Sequence, residues 1–455
     1  MRFLIECTYV YEHPKDNSGI QRVVRNIIRE LMTDSPEVEC VPVMMNDGKL
    51  YQVLSLAPLK LSMSATFRQA WIVKLDHLRN RYWWYHSRLE RLRPFNSSLV
   101  ARRLLFWSCR LASLALLIPL RTLEWLNRQD TSIPKRAIPL QVTKGDQLVL
   151  LDSSWHEDFF PLAEKLKSEG VGIVSVIYDL IPLTHPQFCH EGLVKVFDQW
   201  FDWIAKTADG FMAISKTISE QVAVELENRL GPVEAKKRWH GYFHLGSELD
   251  LVNGESDPDA GLGKMFLDPA PVYLMVSTIE PRKNHTYLLD AFEQLWKQGS
   301  NVRLCVIGKV GWKCEKLVKR IKNHPELGRR LFMFNKLNDT GLEYAYANAR
   351  ALVFPSYVEG FGLPLVEAMQ RGLPVMASDI PVFREVGSDF MAYFDLGSTQ
   401  SLVNLVQAFE SSGVFPANRP VEAWHWIGWK EASGQLIGGI LDGLQSRTTA
   451  PPDQV

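Results

Sequence analysis

Two glutamates eight residues apart, Glu359 and Glu367, lie in the stretch Pro355-Ser-Tyr-Val-Glu-Gly-Phe-Gly-Leu-Pro-Leu-Val-Glu367. The apolar run at residues 351–354 reads as a short buried strand that Pro355 ends. Residues 365–370 read as the opening of a helix, with Pro364 at its first position, where no backbone N–H is missed. Glu359 then sits with Gly360, Phe361, Gly362 and Leu363 in a loop at the strand's carboxyl mouth, and Glu367 lies about one turn inside the helix. Doubly wound sheets take their ligands at that mouth. Free N–H groups at a helix start favour an anion such as a diphosphate, and carboxylates beside them accept hydrogen bonds from sugar or ribose hydroxyls. The chemistry predicted is that of a nucleotide-sugar pocket. The plainer reading of either glutamate alone is an acid placed to suit the helix dipole.

Cations for a diphosphate stand at another expected strand end. Residues 272–276 read as a strand, followed by Ser277-Thr-Ile-Glu-Pro-Arg-Lys-Asn284. There Arg282 offers a planar fork and Lys283 a point charge. Around these two mouths the second half of the chain alternates in period. Strands are expected at 302–307, ending in Gly308-Lys-Val-Gly-Trp312, at 331–334 before Asn335-Lys336-Leu337, and at 372–378. Helices are expected at 287–296, 342–349 and 402–409. Such βα repetition gives a parallel sheet with its ligand edge at the strand ends.

The first half has the same rhythm. Residues 2–10 read as a strand and 11–19 as a loop, and Ile20, Val23, Val24, Ile27, Ile28 and Leu31 repeat at helical spacing. Gly19 lets backbone approach a ligand, and Arg22 lies in the helix's first turn. Further strands are expected at 147–152, at 172–178 before Asp179, and at 210–215, followed by a helix at 221–230. Ser215 reads equally as a pocket residue or a helix cap.

The Glu-x7-Glu string resembles the signature of retaining glycosyltransferases of family 4, which have the GT-B fold: two Rossmann-like α/β domains facing across a cleft. The resemblance implies that Glu359 contacts the donor sugar and Glu367 the nucleotide ribose. It implies that Arg282 and Lys283 bind the diphosphate, with Thr278 in the usual Arg place, and that Asp179 contacts the acceptor hydroxyl or the transferring sugar. Gly19, Gly308, Lys336 and Leu337 join Gly360, Phe361, Gly362 and Leu363 as donor-binding positions. The loop at 335–337 matches the one that reads the base in relatives, and Arg384-Glu-Val-Gly387 follows in the family's manner. Many relatives carry His-Asp where this chain has Tyr178-Asp179, so the place of that histidine is open and His185 is a candidate. The family needs no catalytic metal. Asp257-Pro-Asp259 has metal-binding spacing but lies in a polar linker, so no metal site is expected.

These expectations divide the chain into an acceptor-binding domain at 1–250, a nucleotide-sugar domain at 251–420, and a helix at 421–445 crossing back to the first domain. Residues 253–269 are expected to be a linker, 424–441 the closing helix, and the tail from 446 disordered. The donor suggested by the 279–284 loop is GDP-mannose, through likeness to bacterial mannosyltransferases of surface polysaccharides. UDP-hexoses stay open. The acceptor would be a glycan or a lipid-linked glycan. A GT-B epimerase or phosphorylase and a non-catalytic sugar-nucleotide sensor are the rival classes.

The chain's 455 residues suffice for two domains. Its 51 basic and 51 acidic residues balance, so no overall field selects nucleic acid. Six scattered cysteines suit reduced thiols in a cytosolic protein rather than a disulfide frame or a zinc site, and the short apolar N-terminus is no signal peptide. Residues 60–136 break the charge balance, with 15 Lys or Arg against four acids and interleaved tryptophans and tyrosines. Within that insert, residues 104–120 are apolar but interrupted by Arg110, well short of the ~20 uncharged residues of a span. Two readings result: a basic helical hairpin covering its own domain, or an amphipathic element on a membrane carrying the acceptor. The second would place the enzyme peripherally on the inner face of the plasma membrane.

Overall fold

The computed structural model describes residues 1–14, 19–33, 38–56, 63–90, 92, 97–130, 136–153, 155, 159–247, 260–335 and 337–449, and within them the side chains of 63–66, 69, 84, 127–130 and 447–449 stand outside the description. The strands are β1 (Arg2–Glu6), β2 (Glu39–Asn46), β3 (Lys49–Val53), β4 (Ala137–Pro139), β5 (Gln147–Leu150), β6 (Gly172–Ile177), β7 (Gly210–Ala213), β8 (Trp239–Tyr242), β9 (Val272–Val276), β10 (Arg303–Ile307), β11 (Leu331–Phe334), β12 (Ala351–Phe354), β13 (Val375–Ser378) and β14 (Ala392–Phe394).

Two parallel sheets carry the expected βα alternation. In the second half the strand order is β11-β10-β9-β12-β13-β14, and every pairing is parallel. The order reverses between β9 and β12, so the crevice for a ligand opens there. In the first half β2-β1-β5-β6-β7-β8 run parallel, and the reversal falls between β1 and β5. Sheets covered on both faces read as continuous apolar runs, which is why Ala351–Phe354, Val375–Ser378 and Arg303–Ile307 are buried at every position. Tyr273, Met275, Leu304 and Val353 pack with Leu288, Phe292 and Trp296 of the His285–Lys297 helix and Leu402 and Val406 of the Thr399–Ser412 helix.

The chain forms two compact units, one of Met1–Val10, Asp16–Lys49 and Gln141–Val455, and a second of Tyr11–Lys15 and Leu50–Leu140. The second unit holds an antiparallel strand pair, with Tyr51 opposite Pro139, and two long helices, Met63–Leu89 and Leu99–Asp130. Arg102 lies 3.7 Å from Glu90, while Phe106 meets both Trp83 and His86. Rising numbers on one helix thus meet falling numbers on the other, and the insert is an antiparallel helical hairpin.

The structure corrects several sequence expectations. The first strand stops at Glu6, and Thr8–Glu12 form a short helix. Gly19 is the first residue of the Gly19–Thr33 helix rather than the end of a loop. Part of the expected linker is helical over Ala260–Leu267, because Leu262 and Met265 find buried positions. The helix after β12 begins at Leu363, so Pro364 takes its second position. The closing helix runs from Trp429 to Thr449, into the stretch expected to be disordered. It packs against β7, β8 and the Gly19–Thr33 helix, and a Cβ on Gly246 would stand 2.6 Å from the backbone of Gly428 and Trp429. The Leu99–Asp130 helix is unbroken, and its 28 residues Leu99–Leu126 are long and apolar enough to cross a membrane. Counting only uncharged residues had excluded that. No disulfide joins any of the six cysteines.

Candidate functional site

The two motif loops meet at the β9/β12 reversal. Glu359 is only 8% exposed. Arg282 Nη1 donates to its Oε2 at 2.5 Å and to the Val358 carbonyl at 3.3 Å, and Lys283 Nζ donates to Oε1. Lys283 is itself buried and lies over the Phe354 ring, 4.9 Å from its centroid. Burial works to raise the Glu359 carboxyl, but the charges and hydrogen bonds of Arg282 and Lys283 outweigh it and hold it at about 2. The same burial, together with the Arg282 charge, lowers the Lys283 ammonium. Pro281–Lys283 form a single tight turn. Asn284 follows in the left-handed conformation (φ 55°) and caps the next helix by accepting from the Tyr287 N–H. That turn delivers both cations to one carboxylate.

Asp179 faces this cluster from the end of β6. Burial raises its carboxyl, against the lowering charge of Arg282, and its Oδ1 accepts from the Ile181 N–H at 3.0 Å. The contact between halves is close: a Cβ on Gly360 would stand 2.1 Å from the Tyr178 carbonyl oxygen and 3.1 Å from Asp179 Cβ. Ser215 Oγ donates to the Gly360 carbonyl at 3.0 Å and accepts from the Ile218 N–H at 3.2 Å, so it is both a helix cap and a link to the motif loop. Gly362 takes a left-handed conformation (φ 109°) just before the helix. Phe361 is buried, 6.2 Å from the His244 ring.

Glu367 sits where the sequence places it, inside the Leu363–Gln370 helix and 7% exposed. Arg22 Nη1 donates to its Oε1 at 2.7 Å, and the Tyr346 hydroxyl to its Oε2 at 3.1 Å. The cation in the first turn after Gly19 therefore reaches the second motif glutamate. Gly308, with φ 154°, could carry no side chain, since a Cβ would lie 1.8 Å from the Ser277 carbonyl oxygen. Leu337 is half-buried. Lys336 and the pair Asp257 and Asp259 fall outside the described residues.

Tyr178 and His185, the candidate for the missing histidine, each make a local hydrogen bond. The Tyr178 hydroxyl donates to the Leu151 carbonyl at 2.8 Å. His185 bonds the Thr184 hydroxyl and stacks on Phe188, centroids 6.1 Å apart.

Sequence reasoning gave no role to four carboxylates that the structure ties down, Glu280, Glu6, Asp152 and Glu385. Glu280 is buried, 2.5 Å from Arg282 Nε. Glu6 accepts from the Thr8 N–H at 2.7 Å and the Asp152 N–H at 3.1 Å, and Asp152 accepts from the Val10 N–H at 2.8 Å. This buried acid pair closes the β1/β5 reversal, and burial followed by the Asp152 charge pushes the Glu6 carboxyl up to about 8. An acid ending an otherwise apolar strand was its signal. Glu385, noted only as part of a string, accepts from the Lys216 N–H at 2.7 Å, the Thr217 N–H at 2.9 Å and the Thr217 hydroxyl at 2.6 Å, with His244 Nε2 2.8 Å away. Burial opposes those contacts, which nevertheless hold the carboxyl at about 2. Near the motif loops, the Trp312 indole N–H donates to the Phe188 carbonyl at 2.8 Å and Lys313 to the Cys189 carbonyl at 2.6 Å. A cavity of about 1130 Å³, lined by Lys264, Asp268, Arg303, Arg330 and β11 as far as Phe334, contains none of these groups.

An apolar parallel sheet reverses between β9 and β12, with a cation pair on one mouth and Glu-x7-Glu on the other, and the architecture is that of the GT-B fold. Residues 265–419 match the family described as glycosyl transferases group 1. Across 98% of both chains the structure aligns with a sucrose-phosphate synthase from Thermosynechococcus elongatus at TM-score 0.52 and 15% identity. Across 99% of this chain and 100% of the other it aligns with Anabaena HepE, solved in complex with UDP and glucose, at TM-score 0.51 and 12% identity. Both likenesses are of fold. In sequence the chain resembles the serotype-specific mannosyltransferase WbdA of Escherichia coli, with 33% identity over 307 residues, 66% of this chain and 38% of that one. It also resembles the O-antigen chain mannosyltransferase B of Escherichia coli, 38% identical over 118 residues, 26% of this chain and 30% of that one. The chain thus spans about two fifths of the length of WbdA.

Proposed function

We propose that this protein transfers a hexose from a nucleotide sugar to a glycan or lipid-linked acceptor in surface-polysaccharide synthesis, with retention at the anomeric carbon. GDP-mannose is the first donor to test, a choice supported by the likeness to mannosyltransferases. The observation that carries the reading is the cluster at the β9/β12 reversal, where Arg282 and Lys283 converge on Glu359 opposite Asp179. In this scheme the bond from the anomeric carbon to the diphosphate breaks as the acceptor oxygen bonds to the same face. The acceptor proton passes to the departing diphosphate, and Arg282, Lys283 and the N–H groups at the start of the Leu363–Gln370 helix stabilise its growing charge. Glu359 orients the sugar hydroxyls, Glu367 takes the ribose, and Asp179 contacts the acceptor or the transferring sugar. Tyr178, tied to Leu151, takes no part in proton transfer.

Calorimetry with GDP-mannose, UDP-glucose, UDP-N-acetylglucosamine and UDP-galactose, on wild type and Arg282→Ala, tests this. One donor is expected to bind selectively and to lose at least about tenfold affinity in the variant, as suits a charge-assisted contact. Equal binding by the variant, or no binding at all, would refute the site. Binding without transfer to any acceptor would place the chain among non-catalytic sensors.

A further inference from the structure

We propose that the helical hairpin of residues 63–130 is a docking element for an anionic lipid surface, lying in the headgroup region rather than crossing the bilayer. Leu104, Trp107, Leu111, Leu114 and Ile118 recur at three- and four-residue spacing along the second helix, and Trp125 lies seven residues further on. Each is 48–72% exposed. The first helix carries a matching row, Phe67, Trp71, Leu78, Tyr82 and Tyr85, each 39–66% exposed. Rows this long and this apolar mark an interaction site rather than the scattered exposure of ordinary surfaces.

Cations are built into the rows. Lys74 lies 5.3 Å from the Trp71 ring centroid, Arg81 5.6 Å from that of Tyr85, and Arg110 5.2 Å from that of Trp107. Long cationic side chains lying along aromatic rings suit the boundary between acyl chains and headgroups. Residues 60–136 hold 15 basic against four acidic side chains, an excess of 15 − 4 = 11. Two copies meeting through these rows would oppose like charges, whereas anionic lipid neutralises them.

Composition alone would let Leu99–Leu126 cross a bilayer; its partner helix argues against it. Continuing the antiparallel register fixed by Glu90–Arg102 and Trp83–Phe106 sets the apolar 111–120 stretch beside residues near 71–81. That segment contains Lys74, Asp76, Arg79 and Arg81. Carrying the pair into hydrocarbon would bury those charges. In the interface they stay hydrated.

The test is co-sedimentation of the full chain with vesicles of phosphatidylcholine alone or with ~30% phosphatidylglycerol. Two variants accompany the wild type: Leu111→Asp with Ile118→Asp, and Arg103→Ser with Arg110→Ser. Wild type is expected to bind the anionic vesicles at least about tenfold more tightly than the neutral ones, and to release in ~0.5 M salt. Each double variant should lose at least about tenfold. Equal binding to neutral vesicles overturns the proposal, as does retention in the membrane after alkaline carbonate, which marks a crossing helix. Absence of binding, with the aspartate variant converting an oligomer to a monomer in light scattering, would make the rows an interface between copies. Should a variant fail to fold, lipid composition and salt on the wild type still decide.

Discussion

Replacing Glu359 by Gln separates the structural and functional work of the motif carboxylate. The wild-type carboxyl is held at about 2 against an ordinary 4.5. At ~1.4 kcal/mol per pH unit, that gap is worth ~3 kcal/mol of folding stability. The side chain is 7% exposed, so solvent screening subtracts little, and the figure agrees with the ~3–5 kcal/mol cost of breaking a buried ion pair. The sign follows from the lowered value: the contribution is complete above about pH 4.5 and is lost as pH falls through about 2. At ~2–4 °C per kcal/mol for a domain of this size, the variant's melting temperature should drop by ~5–15 °C near neutrality, with the gap closing in acid. The variant leaves Arg282 and Lys283 without their counter-charge, so a diphosphate should take its place. Removing one negative charge ~5 Å away is worth ~3 kcal/mol at an effective dielectric near 20. GDP or UDP should therefore bind at least about tenfold more tightly to the variant, while sugar transfer falls at least about a hundredfold. Scanning fluorimetry across pH and calorimetry with the free diphosphates read both arms. An unchanged melting temperature, or weaker diphosphate binding, would refute the reasoning.

Four further substitutions probe the frame around the site. Glu385→Ala should cost ~3 kcal/mol near neutrality by urea denaturation, since its carboxyl stands at about 2 against 4.5; that contribution too is lost as pH falls through about 2. Gly308→Ala forces a Cβ to within 1.8 Å of the Ser277 carbonyl and should lower stability by ~3 kcal/mol or more. Gly19→Ala, where a Cβ meets nothing within 4 Å, should stay within ~1 kcal/mol of wild type, and equal melting temperatures for the two variants would contradict this. Glu6 is raised to about 8, so its charging penalises the fold as pH rises through that value, with the full benefit present below about 4.5. Melting temperatures of wild type should therefore fall between pH 5 and 9 more steeply than those of Glu6→Gln.

The sequence by itself determined the alternation of buried strands and amphipathic helices, because continuous apolar runs and helical spacing are local signals. It also singled out Arg282, Lys283 and Glu359 as candidates for one site, because each follows an apolar run that ends abruptly. Only the tertiary structure decided that all three converge on one contact, since β9 and β12 become neighbours through long-range pairing that no local pattern encodes. The same holds for Arg22 on Glu367, 345 residues apart, and for Glu385 capping a helix that begins 169 residues before it. Tyr178 shows the limit in another way. It stands where many relatives carry His, and only the structure shows its hydroxyl donating to the Leu151 carbonyl. The hairpin reverses the balance: its charge and aromatics were plain in sequence, but whether they were buried or presented depended on packing. Folding left their rows on the outside.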